Sequence, residues 1–268
     1  MHVPGTLFLR NLVSSRTLLF QLVRRDFRQR FIGSAAGWLW GLIQPAVMLV
    51  LWNFVFRVCL KMTPPEGEVT ANYTLFLATG YLPWMLFQES VMRSSNSLVE
   101  NSNLITKTVF PSEIVPLSIF LSSLINHLLA LLLVLVLIVY RGDGLSPMTL
   151  MLPVYMLLLG MLAVGIGWIF SSLQVYLRDT TQIVTVIMTC WFWVTPIFIG
   201  EQNIPEKFRF LIHWNPLAWV VRAYRERLLS MRPPAVEDLL WLTAWSIVVF
   251  VCGGLFFRHL KRGFADVL

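Results

Sequence analysis

Between Arg30 and Leu268 the charged residues fall into clusters, and six long windows between them contain no Asp, Glu, Lys or Arg. These windows are Phe31–Phe56, Val69–Gln88, Ile114–Tyr140, Gly144–Leu177, Thr180–Gly200 and Leu239–Phe257. A helix rises about 1.5 Å per residue and needs roughly 20 apolar residues to cross a hydrocarbon core of about 30 Å. Each window is close to or above that length. The pattern predicts a polytopic membrane protein.

Within a bilayer the backbone must satisfy its own hydrogen bonds, so the windows are expected to be helices. Hydrophobic residues make up 57% of the chain and charged residues 13%, against about 25% charged in a soluble domain. The expected fold is all-α: six transmembrane helices near 34–58, 70–92, 112–140, 147–176, 180–200 and 238–258, in one domain spanning 1–268. These spans consume most of the chain and leave no room for a separate soluble catalytic domain.

Six spans put both ends on one side. Arg10, Arg16, Arg24, Arg25, Arg28 and Arg30 precede the first window, and Arg258, Lys261 and Arg262 follow the last. Basic excess marks the cytoplasmic face, so both termini are expected there. The segment before the last window breaks the rule with Lys207, Arg209, Arg222, Arg225, Arg227 and Arg232, but acidic residues alternate with them and long segments count little. No signal peptide is expected ahead of the first arginines. The formal charge of +7 is read as attraction to anionic lipid. Nucleic acid is not an expected partner, because the bases flank spans instead of forming a face with interleaved aromatics.

Three segments do not span. Residues 14–30 predict an amphipathic interfacial helix, with Gln21, Arg24, Arg25 and Arg28 in a polar stripe and Asp26 and Arg30 placed to pair. It either anchors orientation or collars a cytoplasmic partner. Residues 201–222 predict short re-entrant helices at the outer face, broken at Asn215-Pro216. They form either a gate or a lid in the headgroups. The inner loop Arg93–Pro111 and the corner Arg178-Asp179 are where a cytoplasmic partner would push on the spans.

Catalytic signals are missing. The chain has no G-x-x-x-x-G-K-[ST], no G-x-S-x-G and no H-E-x-x-H, and Cys59, Cys190 and Cys252 have neither metal nor disulfide spacing. His127 is the one histidine inside a window. It is either a functional group or, as favoured here beside Asn126, an interhelical hydrogen-bonding residue. Any energy the chain uses is therefore expected to come from elsewhere.

Aromatic residues are abundant instead, with 11 tryptophans. Trp38, Trp40, Trp84, Trp214 and Trp219 sit near window ends and fit an interfacial belt. Trp52 with Phe56, Trp191 with Trp193, and also Trp84 with Phe87, are candidates to line a path, since flat rings suit the C–H faces of sugars.

The order of several short motifs resembles the polysaccharide-exporting ABC-2 permeases. These are Arg25-Asp26, then Arg30-Phe31-Ile32-Gly33-Ser34, Gly37-Trp38-Leu39-Trp40 and Gln44-Pro45; Ile105-Thr106-Lys107 with Phe110-Pro111; Tyr176-Leu177-Arg178-Asp179; Trp214-Asn215-Pro216-Leu217; and Lys261-Arg262-Gly263-Phe264-Ala265-Asp266. One departure is Gly33-Ser34-Ala35-Ala36-Gly37, where the family often has a larger apolar residue before the glycine. The resemblance implies a homodimer joined by two copies of a cognate ABC ATPase, which binds the ATP and magnesium. It implies export of an undecaprenyl-diphosphate-linked polysaccharide across a bacterial inner membrane, through a channel lined by aromatic rings. It also implies coupling to the ATPase through Glu100, Asn103, Lys107, Arg178 and Asp179, and an outer gate at Trp214, Asn215 and Pro216. Arg24, Arg25 and Arg28 would lie near the lipid diphosphate.

Two other readings compete. One is a membrane-embedded enzyme acting on polyprenyl-linked sugars, which requires paired carboxylates; Asp143, Glu201, Glu206, Glu237 and Asp238 belong to no recognisable motif. The other is an ABC-2 exporter of a drug or small lipid.

Overall fold

The computed structural model describes residues 16–65, 67–107, 110–141, 144–231 and 233–268, and every regular element among them is helical. In chain order these are α1 (Arg16–Phe31), α2 (Gly37–Cys59), α3 (Tyr73–Glu100), α4 (Ser102–Lys107), α5 (Ile114–Tyr140), α6 (Pro147–Tyr176), α7 (Thr180–Val194), α8 (Arg209–His213), α9 (Pro216–Leu229), α10 (Val236–Gly263) and α11 (Phe264–Val267). Ser14 and Ser15, the expected start of the interfacial helix, lie outside the described residues.

Among the described residues, four helices are long and apolar enough to cross a membrane: α2, α5, α6 and α10. The six-span expectation adds α3 and α7, and each departs from the simple pattern. Helix α3 is long, at 28 residues, but it carries Gln88, Glu89 and Arg93 in its second half. It runs on to Glu100, past the expected end at 92, so Glu89 sits inside a helix and not at its end. Helix α7 stops at Val194, well before the expected 200. The reason is local: Pro196 has no N–H to give and restricts Thr195 to extended backbone, which is where Thr195 is found.

Helix α3 is the centre of the bundle. It packs against α5, α6, α7 and α9, and most of its length is buried. Helix α10 lies along α6 at backbone distance. A Cβ on Gly165 would stand 2.6 Å from the carbonyl oxygen of Val249, so only glycine allows the approach. Helices α2 and α10 show wide apolar sides to the outside, including Val50, Leu51, Phe54, Val248 and Leu255, as lipid-facing spans do. The C-terminal end of α2, Asn53–Cys59, winds as a π-helix. There Asn53 Oδ1 accepts from the Thr74 hydroxyl at 2.7 Å, and Arg57 donates to the same hydroxyl at 3.0 Å, tying the wide turn to the start of α3.

Candidate functional site

The residues that follow α7 organise one end of the bundle. Phe198, at the centre of the non-helical segment 195–200, stacks on Phe56 at 4.5 Å and meets Trp52 edge-on at 5.0 Å. Phe192 and Trp193 lie 5.3 and 5.6 Å from the same ring, and Tyr81 meets Trp52 at 4.5 Å. Three of the expected path residues, Trp52, Phe56 and Trp193, thus share one cluster spanning α2, α3 and α7. Its hub, Phe198, was not singled out in the sequence, because nothing in a Thr-Pro-Ile-Phe run says which ring others will gather around. Trp191 stands beside the cluster, edge-on to Phe87 at 5.2 Å. Trp84 and Phe87 are sealed in the interior at 1% and 0% exposure, so they pack the core and reach no surface of this chain. Burial also removes Trp84 and Trp219 from the interfacial belt, whereas Trp38, Trp40 and Trp214 remain exposed as expected.

The segment is held down by polar contacts from α3, from α9 and from the residue that caps α9. Tyr73 donates its hydroxyl to the carbonyl of Phe198 at 3.0 Å. Arg225 donates to the carbonyl of Ile197 at 2.7 Å and lies over the ring of Phe76 at 3.6 Å. Asn215 caps α9 by accepting from the amide of Leu217 at 3.0 Å, accepts also from the Trp191 indole at 2.8 Å, and donates to the Thr195 hydroxyl at 3.1 Å. The Asn215-Pro216 break expected in the sequence is therefore a helix start as well as a junction. The expected segment 201–222 extends further, since α9 continues to Leu229. Trp214 is exposed beside this junction.

Arg225 is fully buried, and burial pulls its guanidinium down to about 10, with Glu68 and Glu201 opposing. Burial opposes the charge of Arg222 too, but contacts to Glu201 at 2.5 Å and Asp238 at 3.0 Å more than offset it and raise that group. Burial raises the carboxyl of Glu68 above its ordinary value, against the pull of Arg225. Glu201 and Asp238 both pair with Arg222, and Glu226 pairs with Arg227. Asp143 lies outside the described residues.

At the other end, α1 joins α3 through four charges. The expected Asp26–Arg30 pair forms at 3.8 Å, Arg93 reaches Asp26 at 2.5 Å, and Arg30 pairs with Glu89. Ser123 on α5 accepts from Arg30 at 3.0 Å and donates to Glu89 at 3.2 Å. Glu89 and Arg93 were missed; their i, i+4 spacing just past the second window was the available signal. Arg24, Arg25 and Arg28 lie on the exposed side of α1 with Gln21, around a shallow groove of about 340 Å³, and Arg25 contacts Asn101.

The same end carries the expected coupling residues. Glu100 and Asn103 are exposed around the α3–α4 junction, where Asn96 donates to Glu100 at 2.9 Å. Arg178 and Asp179 are exposed at the α6–α7 corner, held by Gln174 donating to the Arg178 carbonyl at 3.0 Å. The side chain of Lys107 lies outside the described residues. Helix α11 touches both α4 and α6, and Tyr176 donates to the Leu260 carbonyl at 2.9 Å. Lys261 pairs with Glu113, whose side chain is only 3% exposed, while Trp168 donates to the Glu113 carbonyl at 2.9 Å. His127 is buried with its Nε2 3.1 Å from the Tyr224 hydroxyl, the interhelical bond favoured from sequence.

Residues 17–229 match the family model described as ABC-2 type transporter. The chain is 30% identical over 253 residues to an O-antigen export system permease protein RfbA of Klebsiella pneumoniae, covering 94% of this chain and 95% of the relative. A protein of the same description from Myxococcus xanthus is 28% identical over 96% of this chain and 97% of its own length. The polysialic acid transport protein KpsM of Escherichia coli is 25% identical over 88% of this chain and 91% of its own.

Proposed function

The chain belongs to the ABC-2 type transporter family, and from that membership we propose that it is the membrane-spanning permease of an exporter that moves lipid-linked polysaccharide of the O-antigen kind out of the cytoplasm. The observation that carries the substrate class is the aromatic cluster around Phe198, in which Trp52, Phe56, Phe192 and Trp193 present ring faces and edges at one end of three helices. Such faces attract the C–H surface of a sugar without fixing one register, so a polymer slides past them. With Trp191 they form the outer part of the path, and Trp214, Asn215 and Pro216 gate it by way of the junction with α9.

In this reading α3 and α7 cross the bilayer along with α2, α5, α6 and α10, and both termini face the cytoplasm. The whole chain acts as one membrane domain in the inner membrane. Charged residues on α3 are tolerated because they face polar partners and not lipid, and α7 with the segment 195–200 together supply the length of one crossing. Two copies of the chain form the channel between them. Two copies of a cognate ATPase bind ATP and magnesium, since this chain carries no phosphate loop. Glu100, Asn103, Lys107, Arg178 and Asp179 receive the ATPase stroke. Arg24, Arg25 and Arg28 offer cationic contacts for an undecaprenyl diphosphate at the headgroup level.

A tagged pull-down of the chain from its native membrane tests this, followed by ATPase assay of the eluate with and without lipid-linked glycan. The expected outcome is a co-purifying ATPase whose rate responds to the glycan. Absence of any ATPase, under conditions that preserve complexes, rejects the permease reading. An ATPase indifferent to glycan keeps the transporter and rejects the cargo.

A further inference from the structure

Helix α3 is covered on every side but one. Its remaining stripe, Tyr81, Met85, Gln88, Met92 and Asn96 at helical spacing, is half-exposed along the length of the helix. A stripe turned to lipid would be apolar; this one carries two amides and a phenol. Much of it borders a cavity of about 530 Å³ between the first half of α2, the end of α1, and helices α3 and α5. That volume lies within the range of roughly 300–1,000 Å³ typical of small-molecule sites. Trp40 and Gln44 complete the wall from α2, and Asn126 from α5.

We infer that this cavity binds one sugar unit of the polymer, with Trp40 and Tyr81 offering ring faces and Gln44, Gln88 and Asn126 bonding its hydroxyls. The inference rests on the exporter reading above and adds a saccharide subsite that the aromatic cluster does not contain. Three observations support it. First, the amides are poised. Gln88 Oε1 is taken by the Trp84 indole at 2.8 Å, which leaves the Gln88 N–H donors for an occupant. Asn126 Oδ1 is buried against Gly41, which leaves the amide nitrogen of Asn126 as the group that meets an occupant. Second, Gly41 makes room for that amide, because a Cβ there would stand 3.2 Å from Asn126 Oδ1.

Third, the charges beside the cavity are already paired. Arg30 and Arg93 contribute two positive charges, and Asp26 and Glu89 answer with two negative ones through direct contacts. A diphosphate would have to break those pairs, whereas a neutral polyol leaves them intact. Arg24 and Arg28 line a separate groove on α1 and not this cavity. Amide-lined, flanked by rings and with its charges already paired, the cavity fits a sugar ring better than a phosphate or an acyl chain.

The test uses the assembled permease–ATPase complex in nanodiscs, with Cys59→Ser, Cys190→Ser and Cys252→Ser as background. Met85→Cys and, separately, Met92→Cys report on the cavity through labelling by a water-soluble maleimide. The probes are the lipid-linked polysaccharide extracted from the native membrane and a polyprenyl diphosphate without sugar. At saturating polysaccharide, labelling at both positions is expected to slow about tenfold, as near-complete occupancy demands, and sugar-free polyprenyl diphosphate is expected to leave it within about twofold. Equal protection by the sugar-free lipid makes the cavity a headgroup site and overturns the inference. No protection while ATPase activity still responds to the polysaccharide also overturns it and leaves the exporter reading standing. No protection together with an unresponsive ATPase removes the inference and the polysaccharide cargo, and keeps the transporter.

Discussion

Arg225 donates to the carbonyl of Ile197 at 2.7 Å while its guanidinium lies 3.6 Å from the Phe76 ring centre, in a socket left by Gly80. One buried cation thereby fastens α9 both to α3 and to the segment that follows α7. A Cβ on Gly80 would stand 2.7 Å from Arg225 Nη2. Gly80→Val is therefore expected to expel the guanidinium and destabilise the protein by about 3 kcal/mol through overpacking. Arg225→Ala is expected to lose roughly 2 kcal/mol, the unmet carbonyl and the ring contact being partly offset by relief of a buried charge. Thermal unfolding of the detergent-solubilised chain measures both. An unchanged midpoint for Gly80→Val would show that the socket is not needed.

Asn215 holds three partners at once: the Leu217 amide, the Trp191 indole and the Thr195 hydroxyl. Asn215→Ala removes a helix cap and two side-chain bonds, and is expected to cost about 2–3 kcal/mol. Asn215→Asp keeps the cap and the indole bond but loses the donor to Thr195. It is expected to fall between wild type and alanine. Polymer export should follow the same order, as a gate held by this junction requires.

Glu113 is almost wholly buried and its carboxylate is met by Lys261. Removing the lysine alone strands a buried charge, so Lys261→Ala is expected to destabilise by about 2–3 kcal/mol. Adding Glu113→Gln should recover at least half of that. A double-mutant cycle by thermal unfolding checks it, and simple additivity would show that the pair is uncoupled.

Trp52 touches Tyr81, Phe192 and Phe198. Trp52→Ala is expected to impair polymer export while the chain still assembles with its ATPase, as is Trp191→Ala. Immunodetection of surface polysaccharide beside a pull-down separates the two effects. Unchanged export would take these rings out of the path.

Glu68 has its carboxyl raised by burial. A group whose folded pKa lies above its unfolded value gives stability that is complete below the unfolded pKa and is lost as pH rises through the folded one. Glu68→Gln is expected to unfold at a higher temperature than wild type at neutral pH, with the gap closing as pH falls toward 4.5. A gap that widens on acidification would contradict the assignment.

The uncharged windows marked α5 to the residue and the ends of α2, α6 and α10 to within six residues, because lipid-crossing helices need a long run without charge and little else supplies one. The Asp26–Arg30 pair and the Asn215-Pro216 break were legible for the same kind of reason, since both depend on residues close in the chain. Glu89 and Arg93 were not, because a charge beyond a window reads as the end of a span until the helix is seen to continue. Trp84 and Trp52 look alike in sequence; only the packing of α3 at the bundle centre buries the first and leaves the second partly open. Phe198, Arg225 and the cavity at Gln88 and Asn126 each depend on contacts between residues far apart in the chain. Membrane character, the principal helices and the motif order are therefore properties of the sequence itself. Which rings gather, which cations are buried and where a polar cavity opens were decided by tertiary packing, because burial is set by neighbours that local sequence does not name.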